Sequence, residues 1–435
     1  MFIPTAPTYN LKVVLKETGI AADTLRAWER RYGLPAPQRS PGGHRLYSQR
    51  DIEIIKWLMA RQAEGLSISR AVDLWKELTA SGQDPLAADR QREIFPAPAA
   101  NLEAARQRWI EACLDFDELR AEQVLNQAFS IFPVESVCME ILQKGLVEMG
   151  ELWFQNRASV QQEHFASALA MRRIDALLAA SPAPTRKQTV IVGCPADEWH
   201  AFTPLLLTLL LRRRGLHTIY LGANVPAERF EDTVSAVHAN LVILVAQTLI
   251  TAAALQSTAQ TLVRLRVPVG YGGRIFALHP TLPASIPAHY LGDTLNAALD
   301  TVETLLQTAF EPVQARSLPP EYIEAHRMFI AHRLHIESTV KEKIPPQAQP
   351  EGFEAGIHFL GDNIVAALQL GDMQYLDAEM EWFKVLMEWY QRPAQELAIF
   401  METYSQAVDQ HINGSGSPVK AWLKAQAKSV NSGVP

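Results

Sequence analysis

The feature that most constrains this chain is a change of hydrophobic period near residue 188. From 101 to about 180, apolar residues recur at three- and four-residue spacing, as in LEAARQRWIEACL, which is the period of an amphipathic helix. Beyond it, five short apolar runs stand apart: TVIVGC, HTIYLG, LVILVA, VPVGYGG and HYLG. Helical segments such as TPLLLTLLLRRRG and AERFEDTVSAV separate them. Runs this apolar are strands buried on both faces, and helices between them imply crossover connections. The expectation is a flavodoxin-like, doubly wound parallel sheet over 183–312, preceded by a bundle of about four helices over 101–182.

Residues 9–80 follow another pattern. Leu11–Thr18 and Ala22–Tyr32 read as two helices around a turn at Gly19, the second opened by Asp23 and Thr24 in capping positions. The stretch LPAPQRSPGGHRLY at 34–47 holds three prolines and two glycines, so it is not helical, and Gly42-Gly43 reads as a hairpin turn. Helices over about Ser48–Glu64 and Ser67–Ala80 complete a winged helix-turn-helix over 1–83. A Pro- and Ala-rich linker over 84–100 follows. Residues 317–435 are helical again, broken by IPPQAQPEG at 344–352. The fold class expected is multidomain, α and α/β.

Charge separates the parts. Residues 1–83 carry 12 Lys and Arg against 8 Asp and Glu, a balance of +4 within a chain of net charge -7, which leaves -11 for the rest. A basic head on an acidic body suits local contact with DNA through one domain. The chain has no run of about 20 apolar residues and no signal-like N-terminus, and its three scattered cysteines form no metal spacing. A reduced, cytoplasmic protein with buried thiols is expected.

The motif TLRAWERRYGLPAPQRSPGGHRLYS resembles the MerR family. Thr24, Leu25, Arg26, Trp28, Glu29 and Arg30 fill the recognition-helix positions. Arg39, Gly42, Gly43, His44, Arg45 and Tyr47 fill the wing, and Asp51 starts the next helix. Arg26, Arg30 and Arg31 project from one short helix toward groove edges and phosphates. The DNA-contacting set expected is therefore Arg26, Trp28, Arg30, Arg31, Arg39, His44, Arg45 and Tyr47. The resemblance implies double-stranded promoter DNA as partner and a homodimer or homotetramer, because MerR-type heads bind as dimers on palindromic sites. No membrane partner is expected.

The loop after the first strand, CPADEWHAF, puts Glu198 two residues before His200, at the carboxyl edge where such sheets bind ligands. Gly272 and Gly273 in YGGR let a bulky ligand approach the backbone. The arrangement resembles the cobalamin-binding domains of methionine synthase, mutases and their relatives. That resemblance implies His200 as the lower axial ligand of cobalt, with Glu198 fixing the imidazole. Two positions depart from the family pattern: Thr203 stands where a Gly is usual, and Thr248 where a Ser is usual.

Upstream, WFQNRASVQQEH places Glu163-His164 after Trp153. With the domain order, this resembles the CarH/LitR group of light-responsive cobalamin regulators over about residues 9–310. The resemblance implies that Trp153 covers the upper face of the corrin, that Glu163 and His164 line the adenosyl space, and that His164 coordinates cobalt after photolysis. It implies an adenosylcobalamin-dependent, light-responsive repressor, not an enzyme. Two alternatives stay open: a MerR regulator that senses cobalamin level without light, and one with another tetrapyrrole.

In the C-terminal part, His326, His332 and His335 share one helix, and the 332/335 pair has ligand spacing, though a solvated face is the commoner use. Trp382, Trp389 and Tyr390 fall at helical spacing and read as core or interface. No Cys lies there, so a thioether-linked chromophore is excluded in this part, and a noncovalent bilin is left open.

Overall fold

The computed structural model describes residues 6–39, 42–63, 66–81, 84–86, 101–345, 349, 352–380 and 393–432. They fall into two units, Met1–Asn101 and Leu102–Pro435.

The first unit is the winged helix-turn-helix. Helices Leu11–Thr18 and Ala22–Tyr32 meet at Gly19, whose φ of 70° is the left-handed conformation a glycine adopts without penalty. The N-cap of the second helix is Ala21, with no side-chain cap, so the expected capping by Asp23 and Thr24 is not formed. Gln38–Arg39 and Arg45–Tyr47 make the antiparallel wing, and Tyr9–Asn10 pairs along the other edge of Arg45–Tyr47. Ser48 and Asp51 then cap helix Gln49–Ala63 reciprocally: the Ser48 amide donates to the Asp51 carboxylate and the Asp51 amide to Ser48 Oγ. Helix Ile68–Ala80 closes the core, where Trp57 and Trp75 pack edge to face with centroids 5.2 Å apart. The expected linker starts too early. Asp84 takes a two-pronged ion pair from Arg50, and Leu86 is buried in the head's core.

The second unit opens with the expected helical bundle: Leu102–Leu114, Glu118–Ile131, the continuous run Val134–Phe154 and Val160–Ala179. The third helix passes through a π segment at Cys138–Gln143. Trp109 is fully buried, and a Cβ on Gly145 would stand 2.9 Å from its ring, so the glycine makes room for the indole. Cys113, Cys138 and Cys194 are buried free thiols, and burial pushes each up to about 12, which leaves them unreactive.

The five strands Thr189–Gly193, His217–Gly222, Leu241–Val245, Val269–Gly272 and His289–Tyr290 form one parallel sheet in the spatial order 2-1-3-4-5. The first and third are buried at every residue, as expected of a sheet covered on both faces. Helix Phe202–Arg213 packs against the bundle helix Val160–Ala179. Helix Leu249–Leu262 packs against Phe353–Leu370 from the C-terminal part. That part contributes Pro320–Lys343, Phe353–Leu370, Ala394–Ile412 and Ser417–Ser432. It had been expected as a separate domain. Instead its apolar side chains run into one continuous core with the sheet, from Val242 and Leu255 through Ile364 and Leu368 to Tyr404. Apolar faces on helix Leu249–Leu262 and on helix Phe353–Leu370 are best removed from water by covering each other. Trp382, Trp389 and Tyr390 lie outside the described residues.

Candidate functional site

The order of strands reverses between the first and third, and there two loops face each other across the switch point. The loop after the first strand carries Glu198 and His200. It is tethered on one side by Asn224, whose side chain accepts from the Asp197 amide and whose own amide donates to the Glu198 carbonyl. The Glu198 side chain is 1% exposed and takes four hydrogen bonds. One carboxylate oxygen accepts from His200 Nδ1 at 2.6 Å and from the His200 amide at 2.9 Å. The other accepts from the Gln247 amide at 2.6 Å and from Thr251 Oγ1 at 2.7 Å. Burial alone would raise this carboxyl, but the bonds from His200, Gln247 and Thr251 outweigh it and hold it below its usual range. The bond to Glu198 in turn raises His200, with burial opposing.

With Nδ1 committed to Glu198, the outward nitrogen of His200 is Nε2, on a side chain 68% exposed. Among the more distant charges, Glu163 of the bundle also raises His200 and Arg274 opposes it. In the bundle the same pairing recurs. His164 Nδ1 bonds Glu163 at 2.7 Å, Ser167 holds the other carboxylate oxygen at 2.8 Å, and the His164 ring is exposed. Trp153 lies half-buried in the last turn of Lys144–Phe154. Two carboxylate-oriented imidazoles thus come from the sheet and from the bundle.

Thr248 is the N-cap of helix Leu249–Leu262 and shares a reciprocal cap with Thr251, so its hydroxyl serves the helix first. Sequence reasoning missed Thr251 and Gln247; the T-x-x-T spacing directly after the third strand was the available signal for Thr251. The two glycines differ in role. A Cβ on Gly272 would meet nothing within 4 Å, so open space lies beside it. Gly273, at φ 132°, would drive a Cβ to 1.8 Å from the Ala246 carbonyl oxygen. Its lack of side chain is needed by the protein's own backbone, which corrects the expectation that both glycines serve ligand approach. Gln247 Oε1 accepts from the Arg274 amide and ties the two loops together.

Among the described residues no group of three or more His, Cys, Asp and Glu is placed to hold a metal ion. The His332 and His335 rings lie 6.4 Å apart, and His411 lies 5.9 Å from His335, without forming such a site. A lone outward imidazole suits a metal whose other positions are filled by its own macrocycle. The orienting carboxylate and the open space at Gly272 suit a bulky ligand of that kind, so these residues fit a corrinoid.

In the head, Arg26, Arg30, Arg31, Arg39 and His44 are exposed on the helix and wing, and Arg45 is half-exposed. Trp28 and Tyr47 require correction: both are buried in the head's core. Glu29 accepts from Tyr47 Oη at 2.5 Å and from Arg45 Nε at 2.8 Å, and so joins wing to helix. Trp28 and Tyr47 therefore belong to the packed core of the head.

The profile of the MerR HTH family regulatory protein matches residues 9–78, and that of the B12 binding domain matches 105–178. The chain is 30% identical to the HTH-type transcriptional repressor CarH of Myxococcus xanthus over 288 residues, which is 65% of this chain and 94% of CarH. It is 35% identical to the repressor CarA of the same organism over 241 residues, 54% of this chain and 76% of CarA. Among solved structures, the match to the monomethylamine corrinoid protein of Methanosarcina barkeri covers 49% of this chain and 99% of that one, at 16% identity and a TM-score of 0.40. With a MerR head, a B12-binding bundle and a match along almost the whole of CarH, the chain belongs to the family of HTH-type transcriptional repressors that includes CarH and CarA.

Proposed function

We propose that this protein is a light-responsive transcriptional repressor that holds adenosylcobalamin between its bundle and its sheet and binds promoter DNA, as a homodimer or homotetramer, through its MerR head. The observation that carries the reading is the Glu198–His200 pair at the switch point, with its Nε2 outward, together with a second oriented pair, Glu163–His164, on the bundle.

His200 would offer Nε2 to cobalt, and Glu198 fixes the tautomer and the ring plane. Trp153 would exclude water on the bundle side, and Glu163 would accept hydrogen bonds from sugar hydroxyls. When bound, the cofactor supplies a cobalt–carbon bond that light breaks. The protein's part is a packing switch. The bundle meets the sheet through helix Val160–Ala179 lying on helix Phe202–Arg213 and through an Arg213–Glu135 ion pair that stands in solvent. A pair this exposed is worth at most about 1 kcal/mol, so it would add little to holding the bundle in one position. His164, directly after the first turn of Val160–Ala179, would hold the bundle in its second position. DNA affinity changes to the extent that the two positions favour different assemblies. Arg26, Arg30, Arg31, Arg39, His44 and Arg45 would contact the operator, in two half-sites when two heads are joined.

The test is an absorption spectrum of the purified protein with adenosylcobalamin in the dark and after illumination, with sizing of both samples. A bound corrin whose spectrum and assembly change in light is the expected result. A bound, light-indifferent corrin would sink the photoreceptor reading in favour of vitamin sensing. No bound corrin in samples that do take up biliverdin would point to a bilin instead.

A further inference from the structure

The C-terminal helices touch the foundations of both loops at the switch point. The first foundation is helix Leu249–Leu262. Its opening turn carries Thr251, which donates to Glu198. On another face the helix is gripped by Gln369, near the end of Phe353–Leu370. Gln369 Nε2 lies 2.8 Å from the Ala253 carbonyl oxygen, 3.0 Å from Gln256 Oε1 and 3.0 Å from Ser257 Oγ. Residues 253, 256 and 257 share one helical face, and Thr251 lies roughly 200° round from Ala253. The grip is buried. Gln256 Nε2 donates to the Ser285 carbonyl at 2.8 Å, and Ser285 Oγ to the Leu370 carbonyl at 2.8 Å. A buried polar network with its members paired fixes one packing and resists slippage.

The second foundation follows the Gly272-Gly273 turn. Helix Arg274–Leu278 leads into His279, whose ring packs edge-on against Tyr375 with centroids 5.3 Å apart, and Thr281 Oγ1 lies 3.3 Å from Tyr375 Oη. Tyr375 belongs to the short turn Met373–Leu376, directly after Phe353–Leu370. One segment, 369–376, therefore braces the element behind each loop.

We propose that the C-terminal helices complete the ligand site, with Gln369 as a positioning residue that acts on His200 through helix Leu249–Leu262, Thr251 and Glu198. This rests on reading the site as a corrinoid site. A rigid helix held at its first turn by Glu198 and one turn later by Gln369 passes a displacement at either end to the other. By linkage, whatever Gln369 adds to corrinoid affinity, the corrinoid returns as order in helix Phe353–Leu370.

The experiment is hydrogen–deuterium exchange of the full chain with and without adenosylcobalamin in the dark, alongside titration of corrinoid affinity. It is run on the unaltered protein, on Gln369→Ala, and on Gln369→Glu, which keeps the shape and removes the donor. In the unaltered protein, binding slows exchange in 353–370 as well as in 195–201. In both variants affinity falls by about fivefold or more, the low end of ordinary coupling. The slowing in 353–370 disappears while that in 195–201 persists, and the absorption signature of axial imidazole weakens. Protection confined to 195–201 in the unaltered protein, or variants that bind within twofold of it with the same spectrum, would overturn the proposal. Failure of the unaltered protein to take up any corrinoid is a different result: it removes the corrinoid reading, and the proposal with it.

Discussion

Replacing Glu198 by Gln tests the site with the least change of shape. The carboxylate has four donors around it, two from His200 and one each from Gln247 and Thr251. An amide keeps one acceptor oxygen, enough for His200. Its NH2 must then face the Gln247 amide and the Thr251 hydroxyl, both donors. Thr251 has a second acceptor in the Thr248 carbonyl at 3.1 Å, whereas Gln247 N–H is left facing a donor. One lost charge-assisted bond costs about 1.5–3 kcal/mol. Loss of a carboxylate behind a metal-binding imidazole lowers metal affinity by about 10–100-fold. At about 1.4 kcal/mol per tenfold the two figures agree. Titration of adenosylcobalamin in the dark, followed by absorbance at pH 8, should therefore show a 10–100-fold weaker Kd. The pH profile carries the sign. A protonated imidazole cannot bind cobalt, and Glu198 raises the pKa of His200 above its ordinary 6.5, so affinity in the unaltered protein begins to fall above that pH as acid is added. In Glu198→Gln the fall should move to lower pH. An unchanged Kd with an unmoved midpoint would refute the idea that this carboxylate orients the imidazole.

Gly273→Ala should abolish corrinoid uptake and lower stability by several kcal/mol, because φ 132° and a Cβ at 1.8 Å from the Ala246 carbonyl oxygen both oppose it; a variant that binds normally would contradict that geometry. Tyr47→Phe should destabilise the head by about 0.5–1.5 kcal/mol in denaturant unfolding, through loss of its bond to Glu29, and a gain in stability would count against the joint between wing and helix. Arg30→Ala should weaken DNA binding on all sequences alike and flatten the salt dependence by a slope of about 0.9 if the guanidinium meets one phosphate, whereas an unaltered slope would place Arg30 off the backbone. The Glu198 carboxyl is held low, so its contribution to stability is complete above the usual carboxylate range and is lost as pH falls through its folded value. Exchange in 195–201 should accelerate across that window in the unaltered protein and stay flat in Glu198→Gln.

Much of this protein is legible along the chain because local rules act over few residues. The strands at 189–193, 217–222 and 241–245 follow from short apolar runs with a period unlike that of the bundle. The helix-turn-helix follows from Gly19 and the prolines of 34–47, and the E-x-H loop from three adjacent positions. Tertiary structure decided what depends on partners far away in sequence. Trp28 and Tyr47, expected from the motif to contact DNA, are drawn inward because burying an aromatic ring outweighs a surface contact, and Glu29 accepts the phenol's hydrogen bond there. Thr251 becomes a support of His200 only because the third strand lies beside the first. Gln369 reaches helix Leu249–Leu262 across 116 positions of sequence to Ala253, and the C-terminal helices join the sheet's core because two apolar helix faces, each unremarkable alone, exclude water best against each other. Periodicity records that a face is apolar; which other face covers it is set by the packing of the whole unit.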